Sequence, residues 1–299
     1  MLEIKLNGIR FKNPLILASG ILDESGDTMA RVAKNGAGGI VTKSIGIEPR
    51  KGYDNPVIYE LPYGLLNAMG LPNPGIENYK EEMEIAKKAG VPIIGSIFGK
   101  DVGEFVYLAK KMEEYGADAV ELNLSCPHAK GYGMEIGIDT ALVSDIVKEV
   151  KKSINIPVWA KLTPNTDSIV RIAKAAEGAD ALVLINTVRA MAIDIDAKMP
   201  VLKNIFGGLS GPAIKPIGVR AVYEVYREVE KPIIGVGGIN DGRDALEYIM
   251  AGASAVEIGT AIYYRGIEVF NLIAKEIKEW MSKNGYDSIE DLVGIAQVR

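Results

Sequence analysis

The chain is poor in the side chains that most often hold metals: among 299 residues it has one cysteine, Cys126, and one histidine, His128. A single thiol excludes an intrachain disulfide, an iron–sulfur cluster held by four thiolates, and a zinc site of the usual Cys/His kind. Any redox chemistry therefore needs an organic cofactor, and no metal site is expected. Long apolar runs are missing too. None approaches the roughly 18 residues that span a bilayer, and the opening MLEIKLNGIR mixes charges into a strand-like alternation instead of forming a signal peptide. The expectation is a soluble, cytoplasmic protein without membrane contact. Blocks of like charge are also absent: 34 Lys and Arg are scattered among 39 Asp and Glu, for a formal net charge of -5, so no footprint for nucleic acid is visible.

Apolar residues and glycine are plentiful. Hydrophobic residues make up 48% of the chain, enough for a sizeable core, and the 33 glycines are about 11% against a usual ~7%. Short runs rich in Val and Ile recur at Pro14–Ala18, Gly39–Thr42, Pro92–Gly95, Ala119–Leu122, Pro157–Ala160, Ala181–Ile185, Pro232–Val236 and Ala255–Ile258. Between them lie stretches with helical apolar spacing: Glu77–Ala89, Gly103–Tyr115, Thr140–Ser153, Ser168–Ala176, Ile214–Val229, Asp241–Met250 and Val269–Asn284. Eight strands alternating with helices predict an α/β protein with a (β/α)8 TIM barrel as one domain over residues 1–299, its bottom closed by a hairpin within residues 1–12. A doubly wound open sheet is the alternative, since sequence does not show closure. Three connections, Ser44 to Ile76, Ser125 to Asp139 and Thr187 to Gly211, exceed plain turns and are expected to roof a site.

In a barrel the chemistry sits where the strands end. The residues there are Ser19-Gly20, Thr42-Lys43-Ser44, Ser96, Asn123, Lys161, Asn186-Thr187, Gly237-Gly238 and Gly259-Thr260. At the last two ends a strand stops in Gly and a helix follows, which leaves N–H groups free for a phosphate. A plain tight turn is the alternative. Gly207-Gly-Leu-Ser-Gly-Pro212 adds a third Gly-rich loop. Lys43 and Lys161 admit three readings: a Schiff-base nucleophile as in barrel aldolases, a cation that stabilises a bound cofactor, or a surface lysine with a buried stem. The loop Asn123-Leu-Ser-Cys-Pro-His-Ala-Lys-Gly131 places a thiol beside the only imidazole, yet at i, i+2 the pair need not meet. A Cys on a mobile roof suits a general base better than a covalent hydrolase or an inert buried thiol.

Asn123-Leu-Ser-Cys-Pro, Asn67-Ala-Met-Gly-Leu-Pro-Asn-Pro-Gly75, Lys161-Leu-Thr-Pro-Asn165, Ile185-Asn-Thr187, Gly207-Gly-Leu-Ser-Gly-Pro212 and Gly235-Val-Gly-Gly-Ile239 together resemble the class 1 dihydroorotate dehydrogenases, from the first strand to the last helix. GGLSGPA and Ala251–Val256 are more similar to the heteromeric class 1B, whereas Pro72 is more similar to the homodimeric type. The resemblance implies oxidation of dihydroorotate to orotate in pyrimidine biosynthesis, with FMN on the barrel mouth. It places the FMN phosphate on Gly211, Gly237, Gly238, Gly259 and Thr260, and the flavin along Ser19, Gly20, Lys43, Ser44, Ser96, Asn123, Lys161 and Ile185. The pyrimidine falls among Lys43, Asn67, Ala68, Met69, Gly70, Leu71, Asn123, His128, Asn186 and Thr187. Cys126 becomes the catalytic base, and Lys161 the charge beside the flavin. The resemblance further implies a homodimeric core and a second subunit carrying FAD and an iron–sulfur cluster that passes electrons to NAD. Ser96 and His128 stand where the family usually has Asn. Outside this family, the alternatives are a Schiff-base lyase acting through Lys161 on a phosphorylated substrate and a non-catalytic flavin-binding module.

Overall fold

The computed structural model describes residues 1–125 and 137–298. Eight parallel strands close into a barrel in chain order: β1 (Leu15–Leu17), β2 (Gly39–Val41), β3 (Ile93–Ile97), β4 (Ala119–Asn123), β5 (Val158–Leu162), β6 (Ala181–Leu184), β7 (Ile233–Val236) and β8 (Ala253–Ile258). All eight expected strands form. The open-sheet alternative falls, because β8 pairs with β1 at Val256 and Leu15. Predominantly aliphatic residues on both strand faces suit a sheet covered on one side by helices and filled on the other. Almost every residue of these strands is buried.

Around the barrel lie α1 (Gly26–Lys34), α2 (Lys80–Lys87), α3 (Val102–Glu114), α4 (Thr140–Ser153), α5 (Ile169–Ala175), α6 (Lys215–Tyr226), α7 (Gly242–Ala251) and α8 (Val269–Asn284). Side chains accept the free N–H groups at several starts: Asp101 before α3, Asp139 before α4, Ser168 before α5, and Asp241 with Asp244 in a capping box before α7. At two expected helices the start is a 3-10 turn. The stretch from Glu77 divides into a 3-10 turn at Ile76–Asn78 and α2, and the stretch from Ile214 into a 3-10 turn at Pro212–Ile214 and α6. Among the described residues, no helix is long and apolar enough to cross a membrane.

At the N-terminal end of the barrel, strands Ile4–Leu6 and Ile9–Phe11 pair as an antiparallel hairpin. Its turn residue Asn7 accepts from Trp159 Nε1 at 2.9 Å and donates to the Asp180 carbonyl at 2.9 Å, which ties the hairpin to the starts of β5 and β6. At the opposite end the first and third long connections build a four-stranded antiparallel sheet, ordered Val188–Ala190, Gly207–Ser210, Gly64–Asn67, Ile58–Leu61. Leu66, Ala68, Val201 and Leu202 form a small core of the roof, separate from that of the barrel. The roof is thus a sheet where the sequence suggested loops. The second long connection contains residues 126–136, so Cys126 and His128 lie outside the described residues.

Candidate active site

Between barrel and roof is a cavity of about 320 Å³, within the roughly 300–1,000 Å³ range of small-molecule sites. The expected strand-end residues converge on it. Ser19, Gly20, Lys43, Ser44, Asn123, Lys161, Ile185, Asn186, Thr187, Gly211, Gly237, Gly238, Gly259 and Thr260 all line it. The roof contributes Asn67, Met69, Gly70 and Leu71. Two expected residues do not reach it. Ala68 turns up into the small roof core, because successive residues of an extended segment alternate sides. Ser96 is fully buried below the cavity floor.

Period-2 geometry and strand register explain how the floor is built. Glu121 and Asn123 share one face of β4, and Asn123 stands level with Lys161 on β5 while Ser96 on β3 stands level with Glu121. The result is a continuous polar chain. Asn186 Nδ2 donates to Ser125 Oγ at 2.7 Å, Ser125 Oγ donates to Asn123 Oδ1 at 3.0 Å, and Asn123 Nδ2 donates to Ser44 Oγ at 3.0 Å. Ser44 Oγ lies 2.8 Å from Ser96 Oγ, which donates to Glu121 Oε1 at 3.4 Å. Ser96 therefore joins the neutral asparagine side of the floor to its charged side.

That charged side is a group of three. Lys161 Nζ lies 2.8 Å from Glu257 Oε2 and 3.4 Å from Glu121 Oε1, with both carboxylates essentially inaccessible. Burial pulls the Lys161 ammonium down, but the two carboxylates outweigh it and hold the group above the usual lysine range. Burial, reinforced by the Glu257 charge, pushes the Glu121 carboxyl well above the usual carboxylate range. The sequence reading missed both glutamates. The signal was available: Ala-Val-Glu121-Leu and Ala-Val-Glu257-Ile each put a carboxylate inside an otherwise apolar strand. Lys43 is a different kind of cation. It is 9% exposed, lines the cavity, and forms no ion pair among the described residues. A buried, unpaired ammonium at a cavity wall is suited to an anion from outside the chain.

The glycine-bearing rim offers a second place for an anion. Gly211, Gly237 and Gly238 have φ of +91°, +121° and +73°, in the region that favours glycine. A Cβ on Gly238 would meet the Gly211 carbonyl oxygen at 2.7 Å and the Lys215 backbone nitrogen at 2.8 Å. Backbone here approaches backbone too closely for any side chain. The amides of Gly238 and Thr260 have no acceptor among the described residues, and Thr260 Oγ1 is 2.9 Å from Ser210 Oγ. Unpaired donors at the strand-to-helix turns of β7 and β8 fit a phosphate. The residues present thus suit a phosphate-bearing flavin: donors at one rim, a charged lysine at the floor, and between them the apolar Ile185, Val236 and Ile214.

Comparison with known proteins agrees with this geometry. Residues 1–281 match the family model described as dihydroorotate dehydrogenase. The chain is 61% identical over 295 residues to a protein of Thermoplasma acidophilum, covering 99% of this chain and 98% of that one. It is 57% identical over 298 residues to one of Pyrococcus horikoshii, with the same coverage. With a protein of Methanocaldococcus jannaschii it shares 54% over 302 residues, again covering 99% and 98%. All three bear the name dihydroorotate dehydrogenase B (NAD(+)), catalytic subunit. With the match spanning nearly the whole chain, and the conflict raised by Pro72 resolved toward the heteromeric side, the chain belongs to the class 1B branch of the dihydroorotate dehydrogenase family.

Proposed function

We propose that this chain binds FMN across the barrel mouth and oxidises dihydroorotate to orotate as the catalytic subunit of a cytoplasmic, NAD-reducing enzyme. The observation that carries the reading is one cavity holding an unpaired lysine, Lys43, a paired lysine, Lys161, and a rim of free amides at Gly238 and Thr260. The rim residues Gly211, Gly237, Gly238, Gly259 and Thr260 would hold the phosphate, with Ser19, Gly20, Ser44, Asn123, Lys161 and Ile185 along the ring system. A bound flavin supplies the hydride acceptor that no side chain can provide.

The remaining work falls to the chain itself. Oxidation of dihydroorotate removes a proton from C5 and a hydride from C6. A base must therefore stand on the substrate side, and Cys126 is the residue in that role. Lys43, which lines the cavity and forms no ion pair among the described residues, suits the substrate carboxylate. Asn67, Asn123 and Asn186 present amide groups that fix the orientation of a pyrimidine edge without charge cost. Asn186 and Asn123 are pre-oriented by Ser125, which lies between them.

The Schiff-base alternative loses support at Lys161. A nucleophilic lysine must give up its proton, whereas two carboxylates hold this one charged. The name shared by the relatives, a catalytic subunit of an NAD(+) type, supports a second subunit. FAD and an iron–sulfur cluster on that subunit, and a homodimer of this chain as core, complete the proposal. Among the described residues no group of His, Cys, Asp and Glu could hold a metal. The deciding experiment is anaerobic. Protein loaded with FMN should lose its visible flavin absorption on addition of dihydroorotate, and an unchanged spectrum would reject the assignment.

A further inference from the structure

The cavity floor holds more charge than a single lysine accounts for. Glu121 on β4, Lys161 on β5 and Glu257 on β8 are all inside the barrel, and each glutamate keeps one buried oxygen, Glu121 Oε2 and Glu257 Oε1, without a hydrogen-bond partner. The neighbouring elements supply no further compensation. Ser96 on β3 donates only to Glu121 Oε1, and Lys43, after β2, forms no ion pair with either carboxylate. Fully ionised, the three would leave one uncompensated negative charge out of reach of water. A group so placed takes up a proton instead.

The two carboxyl groups meet the same ammonium, Glu257 at 2.8 Å and Glu121 at 3.4 Å, and the Glu257 charge raises Glu121 further. One proton on Glu121 removes the uncompensated charge and gives the acid a hydrogen to donate within the cluster. Glu257 has the shorter lysine contact, 2.8 Å against 3.4 Å for Glu121. We propose that Glu121 and Glu257 share a single proton and act as one positioning unit for Lys161, presenting its ammonium to the cavity matched by one negative charge, not two. The unit's bearing on cofactor chemistry rests on the reading that Lys161 faces a bound flavin; the shared proton does not.

Substitution by Gln separates these points. Either single variant leaves one carboxylate, which ionises against Lys161, so Glu121→Gln and Glu257→Gln should each lose the same protonated-acid carbonyl band from the infrared spectrum of flavin-free protein at neutral pH. That band is identified by its shift in D2O. Asp23, the other buried carboxyl with a raised pKa among the described residues, should be unaffected. In FMN-loaded protein each single variant should keep a flavin potential close to that of the parent. The double variant strips Lys161 of its counter-charge and should favour reduced over oxidised flavin by at least about tenfold, about 30 mV for a two-electron couple. If the double variant does not fold, the infrared result on the single variants decides. Absence of an acid band that both single variants lose, or single-variant potentials that sum to the double-variant shift, would overturn the proposal. A lost band in protein that fails to oxidise dihydroorotate would keep the shared proton and reject the functional reading, while normal turnover without such a band would do the reverse.

Discussion

Replacing Gly238 with Ala tests the phosphate rim with a magnitude the structure supplies. The new methyl carbon would sit 2.7 Å from the Gly211 carbonyl oxygen and 2.8 Å from the Lys215 nitrogen, both backbone atoms that cannot swing aside. Alanine at φ +73° also costs about 1–2 kcal/mol in backbone conformation alone. Gly90 shares that φ but has nothing within 4 Å of its Cβ, so Gly90→Ala isolates the conformational cost. To relieve the contact the Gly237-Gly238 turn must move, taking the free Gly238 amide with it. Loss of one hydrogen bond to a charged phosphate is worth about 1.5–3 kcal/mol. Gly238→Ala should therefore bind FMN roughly 10- to 100-fold more weakly and unfold at lower denaturant than Gly90→Ala, which should bind FMN normally. Titration of FMN fluorescence against apoprotein and urea unfolding of both variants are the assays. FMN affinity equal to the parent's in a destabilised Gly238→Ala would remove the amide from the cofactor site.

Three further outcomes follow from the site. Cys126→Ser should slow flavin reduction by dihydroorotate about 10²- to 10⁴-fold, the usual loss for a general base, with FMN retained; undiminished stopped-flow reduction would place the base elsewhere. The isolated chain should pass electrons to artificial dyes but scarcely to NAD until a second subunit is added, which steady-state absorbance of NADH would follow. Glu121 also makes stability depend on pH. Its folded pKa is raised, so its contribution is fully present below the unfolded value of about 4.3 and is lost as pH climbs through the folded value. Relative to the parent, flavin-free Glu121→Gln should thus gain stability as pH rises between those two values, by up to about 1.4 kcal/mol per unit, and a constant difference in urea midpoint across that range would contradict the shift.

The barrel strands were legible because each is a short aliphatic run stopped by Gly, Pro or a polar residue, and the register of a parallel sheet leaves such runs little freedom. Val269–Asn284 was legible to the residue, since its apolar stripe is intact and Gly285, in the left-handed conformation, stops it. Closure was not legible, because it is a pairing between β8 and β1 from opposite ends of the chain. The roof was hidden for a similar reason. Its strands are three or four residues long, and partners such as Asn67 and Gly208 are 141 residues apart.

Side-chain chemistry divided along another line. Residues at strand ends could be read from position alone, which is how Lys43, Asn123, Asn186 and Gly238 were found. Residues below those ends could not, because an interior position of a strand is ordinarily filled for packing. Ser96 shows the consequence: the apolar run Pro92–Gly95 marked it as a strand end, whereas β3 continues to Ile97 and Ser96 lies beneath the floor, joining Ser44 to Glu121. The two glutamates were passed over by the same habit. An ionisable residue in the middle of a buried aliphatic strand has no packing rationale, and its desolvation must be offset by partners from other strands. Two such residues, with a lysine on a third strand, predict a charged cluster inside the barrel before any coordinates are known.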